Sequence, residues 1–118
     1  MRLLIVDDSN VIRRSIARMI SEPDYDVRTA GDGLEALRVF EDFLPDVVTM
    51  DITMPNMDGL SCVDAILERK PDARILVISA LADKATAVEA VKRGALGFLL
   101  KPFTPESLTN EIAELFLE

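Results

Sequence analysis

Two hydrophobic rhythms run along this chain. Leu3–Val6, Val47–Met50, Ile75–Ile78 and Phe98–Leu100 are short, nearly continuous apolar blocks, the pattern of strands buried on both faces. Tyr25–Ala30 differs: Tyr25, Val27 and Thr29 alternate with Asp26, Arg28 and Ala30. That alternation predicts a half-exposed strand at a sheet edge. Between the blocks, apolar residues recur every three or four positions, as on one face of a helix. Ile12, Ile16, Met19 and Ile20 mark the first helix, with Arg13, Arg14 and Arg18 off the stripe. Leu37, Phe40 and Leu44 mark a second, Leu60, Val63 and Leu67 a third, and Val88 and Val91 a weaker, alanine-rich fourth. The fifth opens at Thr104-Pro105, a capping threonine before a proline suited to the first helical position, and carries Leu108, Ile112 and Leu115.

Strand and helix thus alternate five times. Right-handed crossovers turn this order into a parallel α/β sheet with helices on both faces. One domain over residues 1–118 is expected, and the chain stops where the fifth helix stops, which leaves no room for an output domain. Of the glycine-bearing segments, Gly31-Asp32-Gly33 reads as a turn and helix start, and Asp58-Gly59 as a turn into the third helix. Met50, Met54 and Met57 read as core and loop filler.

Composition narrows the chemistry. The chain has 118 residues, no histidine and a single cysteine, Cys62. An internal disulfide and a Cys–His or Ser–His pair are excluded, and a zinc site is disfavoured. The formal net charge of −8 repels nucleic acid and anionic lipid, so neither is expected as a direct partner. No apolar run approaches the roughly 20 residues of a membrane span, and the first residues lack the form of a secretory signal. A cytoplasmic protein is the expectation.

Ligands of an open parallel sheet sit beyond the carboxyl ends of its strands. There the first strand delivers Asp7-Asp8, the third Asp51, the fourth Ser79 and the fifth Lys101. Each has an ordinary reading alone, Asp8 or Ser9 as a helix cap and Lys101 as a surface lysine. Together they bring three acids, a hydroxyl and an ammonium to one edge. Three close carboxylates repel one another unless a cation intervenes. Magnesium suits such a site, because it takes oxygen ligands from one or two carboxylates together with water and phosphate. Two cations around a carboxylate nucleophile are what phosphoryl transfer to an acyl phosphate requires.

These residues resemble the response-regulator receiver family. The resemblance spans the whole chain and rests on Leu4-Ile5-Val6-Asp7-Asp8-Ser9, on Val48–Gly59 with Asp51 within it, on Ser79-Ala80 and on Lys101-Pro102-Phe103. The nearest look is the small chemotaxis regulators that consist of a receiver alone. The resemblance implies a flavodoxin-like, doubly wound (βα)5 fold with strand order 2-1-3-4-5. It implies phosphorylation of Asp51 by a sensor histidine kinase and altered binding of a downstream protein. Asp7, Asp8, Asp51 and the backbone carbonyl of Thr53 would hold Mg2+ or Mn2+, Asp8 directly and Asp7 through water. Ser79 and Lys101 would stabilise the phosphoryl group, and Pro102 would follow a cis peptide bond. Ser79 and Phe98 would carry the switch to the face of the fourth helix, fifth strand and fifth helix. Two departures, Ser79 for threonine and Phe98 for tyrosine, keep the chemical type.

By the same resemblance the kinase docks on the first helix near Asn10, Ile12, Arg13 and Arg14, and Thr53 and Leu81 flank the path of attacking water. Leu81 has no hydrogen-bonding atom, so it obstructs water without orienting it, and a long-lived phosphorylated state is expected. Catalysis would be confined to the chain's own phosphorylation and dephosphorylation, in a monomer or a phosphorylation-dependent dimer. Three alternatives stand beside this reading. A receiver excised from a longer regulator would have the same sequence. A small aspartyl-phosphate phosphatase would place its nucleophile after the first strand and carry a cap. A flavin domain would carry a Ser/Thr/Gly-rich phosphate loop where Asp7-Asp8 stands.

Overall fold

In the computed structural model, residues 1–20, 25–52, 58–80 and 83–117 are described. Ten elements alternate: β1 (Arg2–Val6), α1 (Asn10–Met19), β2 (Asp26–Ala30), α2 (Gly33–Phe43), β3 (Val47–Asp51), α3 (Gly59–Arg69), β4 (Arg74–Ala80), α4 (Lys84–Lys92), β5 (Gly97–Lys101) and α5 (Pro105–Glu114). The five strands form one parallel sheet in the order β2-β1-β3-β4-β5. The chain therefore reverses its winding between β1 and β3, the place at the carboxyl edge where open α/β sheets bind ligands.

The pleat of the strands divides the core. Leu4, Val6, Val48, Met50, Ile75 and Val77 meet Ala36, Phe40, Val63, Ile66, Ala87 and Ala90 on the side of α2, α3 and α4. Leu3, Ile5, Val47, Leu76 and Ile78 meet Ile16, Ile20, Leu108, Ile112 and Leu115 on the side of α1 and α5. Both layers must be apolar, which is why the central strands read as unbroken hydrophobic runs. Thr49 interrupts this pattern. It is buried in mid-strand and pairs in register with Ile5 and Leu76.

Several sequence expectations shift at the margins. Phe98–Leu100 does not lie in a strand buried on both faces. β5 is the second sheet edge, and only Leu99 in it is buried. In β2 it is Ala30, not Thr29, that is buried, since the strand end turns under α2. Leu44 does not extend the stripe of α2. It is 52% exposed in a left-handed C-cap at φ 49°, and Phe43 takes the buried place. In α4 the stripe sits one residue earlier than Val88 and Val91, on Ala87 and Ala90. Small side chains let that helix approach the sheet closely, and the valines remain partly exposed.

Four helix starts follow capping chemistry. Ser9, Asp32, Asp58 and Thr104 accept the backbone N–H of Ile12, Glu35, Ser61 and Ser107. Gly59 needs its lack of a side chain, because a Cβ there would stand 2.3 Å from the Ile52 Cα and 2.7 Å from the Asp51 carbonyl oxygen. That close approach seats α3 directly against the end of β3.

Candidate functional site

The carboxyl edge gathers its polar groups from four successive strands of the sheet, β1, β3, β4 and β5. Val6 pairs with Met50 in register, so Asp7 comes level with Asp51 one step further on. Both are buried, Asp7 at 1% and Asp51 at 6% exposure, and Asp8 beside them faces solvent. One carboxylate oxygen from each of the three lies within 4.8 Å of the others. Lys101 reaches back over this group, its Nζ 3.3 Å from Asp7 Oδ2 and 3.9 Å from Asp51 Oδ2. Two buried anions with like charge are tolerated because one ammonium lies between them.

Asp7 is held on every side. Its Oδ1 accepts the Ser9 N–H at 2.9 Å, its Oδ2 accepts from Lys101, and its own N–H donates to the Ala30 carbonyl at 3.2 Å. Its carbonyl oxygen accepts a short 2.6 Å hydrogen bond from Arg13 Nη1. Asp8 has no such duties. Ser9 caps α1, and Asp8 makes no hydrogen bond or ion pair among the described residues. The rivalry between Asp8 and Ser9 for the cap is thus resolved in a way that leaves an exposed carboxylate beside two buried ones.

Three carboxylates and one ammonium at close range leave an excess of negative charge. The donor set is all oxygen and suits a hard divalent cation. Asp7, Asp8 and Asp51 are therefore the residues that can hold a metal ion. The Thr53 carbonyl, expected to complete the set, and Leu81, expected to flank the water path, lie outside the described residues.

Ser79 is buried at the end of β4, and its hydroxyl donates to the Ala80 carbonyl at 2.8 Å. Phe98, across the β4–β5 pair from Val77, is half-buried against the α2–α3–α4 layer. It also lines an open depression of about 730 Å³ with Val91, Leu96, Phe103 and Glu111. The face expected to carry a switch is thus apolar and accessible. The Lys101–Pro102 peptide bond is cis, as the resemblance implies.

On α1, Asn10 and Arg14 are exposed and Ile12 is half-buried, while the Arg13 guanidinium is engaged at the Asp7 carbonyl and also contacts Asn10 Oδ1 at 3.4 Å. Sequence reasoning missed two features here. Val11 is 72% exposed at the start of this helix. Arg13 belongs to the acidic edge itself; its place one turn into a helix that follows two aspartates was the available signal. Cys62, by contrast, is inert. Complete burial pushes its thiol up to about 12.

Comparison with known proteins agrees with this fold. A family model described as the response regulator receiver domain matches residues 3–113. The chain is 40% identical over 113 residues to the chemotaxis protein CheY of Listeria monocytogenes, covering 95% of each. It is 39% identical to CheY of Thermotoga maritima, covering 94% of this chain and 93% of that one. Among solved structures, the receiver domain of NtrX from Brucella abortus superposes with a TM-score of 0.91 at 34% identity, with 96% of both chains covered. The chain spans only 26% of the longer NtrX chain. No helix among the described residues is long and apolar enough to cross a membrane.

Proposed function

Because the chain belongs to the response-regulator receiver family, a phosphoacceptor switch of two-component signalling, we propose that Asp51 is its phosphoacceptor and that Asp7, Asp8, Ser79 and Lys101 serve the transfer. The observation that carries this reading is the Lys101 ammonium set between the buried carboxylates of Asp7 and Asp51, with the exposed Asp8 carboxylate alongside. In the transfer, an Asp51 carboxylate oxygen attacks phosphorus and forms an acyl phosphate. The bond from phosphorus to the imidazole nitrogen of the kinase's phosphohistidine breaks, and the imidazole leaves with that electron pair. Lys101 lies close enough to place its charge against a phosphoryl oxygen on Asp51. A divalent cation, magnesium or manganese, supplies further positive charge against those oxygens when bound at the acids.

The output is a change in binding. Ser79 now donates to its neighbour's carbonyl, and only a phosphoryl group offers it a strong anionic acceptor instead. Rotation of that hydroxyl toward Asp51 vacates space behind it for Phe98, and the α4–β5–α5 face is remodelled for a downstream protein. The kinase approaches over the start of α1, where Asn10, Val11 and Arg14 are exposed. The chain catalyses only its own phosphorylation and dephosphorylation.

The test is intact-mass analysis after treatment with acetyl phosphate. One phosphoryl group should add in the presence of magnesium and none with chelator, and Asp51→Asn should not be labelled. Full labelling of Asp51→Asn, or labelling indifferent to chelator, overturns the assignment. Ser79→Ala should accept phosphate while the amide resonances of the α4–β5–α5 face stay near their unphosphorylated positions.

A further inference from the structure

We propose that Arg13 is a positioning residue of the acidic site, which acts through the Asp7 carbonyl oxygen to aim the Asp8 carboxylate at the cation. The proposal rests on the reading that Asp7, Asp8 and Asp51 hold a divalent cation. It starts from an asymmetry between the two aspartates at the end of β1. The Asp7 side chain is buried and spoken for by Ser9 and Lys101. The Asp8 side chain is exposed and makes no hydrogen bond or ion pair among the described residues. Among the described residues no hydrogen bond or ion pair fixes the Asp8 side chain, so its direction is set by its backbone.

That backbone is held on both sides, by the Ser9 N–H donated to Asp7 Oδ1 on one and by the Asp7 carbonyl oxygen on the other. The Asp7–Asp8 peptide is planar, so whatever holds the Asp7 carbonyl oxygen orients the Asp8 N–H and Cα as well. Arg13 Nη1 holds it at 2.6 Å, a short bond with a charged donor. The guanidinium is itself braced. It contacts Asn10 Oδ1 at 3.4 Å and fits close against Gly31, where a Cβ would stand 3.3 Å from Nη1. Gly31 in turn donates its N–H to Glu35 Oε2 at 3.4 Å. The first turn of α1 and the turn between β2 and α2 therefore grip the peptide that carries Asp8.

Position and charge make opposite predictions for this arginine, and the opposition makes the proposal testable. As a mere positive charge beside the acids, Arg13 repels a bound cation, and its removal should tighten binding. As the group that aims a ligand, its removal should loosen binding. Loss of a partner that orients a metal ligand typically costs about 10–100-fold in affinity, and the low end suits a contact made through backbone.

Calorimetric titration of the full chain with Mg2+ decides between them, in wild type, Arg13→Ala, Arg13→Lys, Asp8→Asn and, as a charge control on the same helix, Arg18→Ala. Binding should weaken roughly tenfold in Arg13→Ala, fall in between for Arg13→Lys, and stay unchanged in Arg18→Ala. With acetyl phosphate, the Mg2+ concentration for half-maximal labelling should rise by the same factor, while the rate at saturating Mg2+ should match wild type. Urea unfolding with chelator present shows whether each variant is folded, and Arg13→Lys carries the test if Arg13→Ala is not. Equal or tighter binding in the folded Arg13 variants overturns the proposal. Absence of Mg2+ binding in wild type, or undiminished binding in Asp8→Asn, overturns instead the cation reading beneath it.

Discussion

Replacement of Thr49 by valine should make this protein more stable, and the reason lies in one atom. Thr49 is 1% exposed in the central strand β3, flanked in register by Ile5 and Leu76, on the face covered by α1 and α5. Its Oγ1 is the buried side-chain polar atom that finds no hydrogen-bond partner among the described residues. A hydroxyl buried without a partner costs about 1–3 kcal/mol on the scale of protein mutations. Valine keeps the branched shape and the preference for strand, and its extra methyl gains about 0.8 kcal/mol of apolar burial in place of that cost. A net gain of about 2–4 kcal/mol follows, which for a domain of this size raises Tm by roughly 3–6 °C per kcal/mol. Equilibrium urea unfolding of wild type, Thr49→Val and Thr49→Ser measures it. Thr49→Ser retains the hydroxyl and loses a methyl, so it should fall below wild type by about 1 kcal/mol. Labelling of Asp51 by acetyl phosphate should be unchanged in Thr49→Val, since the site gains its geometry from the strand end. A valine variant no more stable than wild type would refute the reasoning and show that the hydroxyl is satisfied in solution.

Two further outcomes follow from local chemistry. The Cys62 thiol is raised from 9.0 to about 12 by burial, so the folded chain holds that proton while the unfolded chain releases it. Its contribution is fully present below pH 9 and is lost as pH rises toward 12, by about 1.4 kcal/mol per pH unit within that window. Urea unfolding of wild type and Cys62→Ala at pH 8, 9 and 10 should show the wild type losing its advantage above pH 9, and parallel pH profiles would contradict it. At Leu44, whose φ of 49° is left-handed and whose side chain is half exposed, glycine should relieve about 1–2 kcal/mol of strain against an entropic cost of roughly 0.5–1 kcal/mol. Thermal unfolding of Leu44→Gly should show a small gain, and a clear loss would mean that the leucine side chain matters to the α2 end.

What the sequence determined by itself was the periodicity and the punctuation. Continuous apolar runs follow from strands covered on both faces, and the central strands β1, β3 and β4 obeyed that rule. Capping residues and Pro105 marked helix starts, because those signals act over three or four residues. The site was legible for a related reason: in a parallel α/β order every strand ends at the same edge, so Asp7, Asp8, Asp51, Ser79 and Lys101 could be brought together without coordinates. Tertiary structure decided what depends on neighbours remote in sequence. Edge position made β5 half-exposed although Phe98–Leu100 is as apolar as a central strand. Close packing on the sheet chose Ala87 and Ala90 over the more hydrophobic Val88 and Val91. Above all, the resemblance divided the labour between the two aspartates, but their burial and their hydrogen-bond partners were invisible in the sequence. Asp7 is buried by Lys101, 94 residues away along the chain, and Asp8 is released by Ser9 and oriented through Arg13, because hydrogen bonds are satisfied in space and not along the chain.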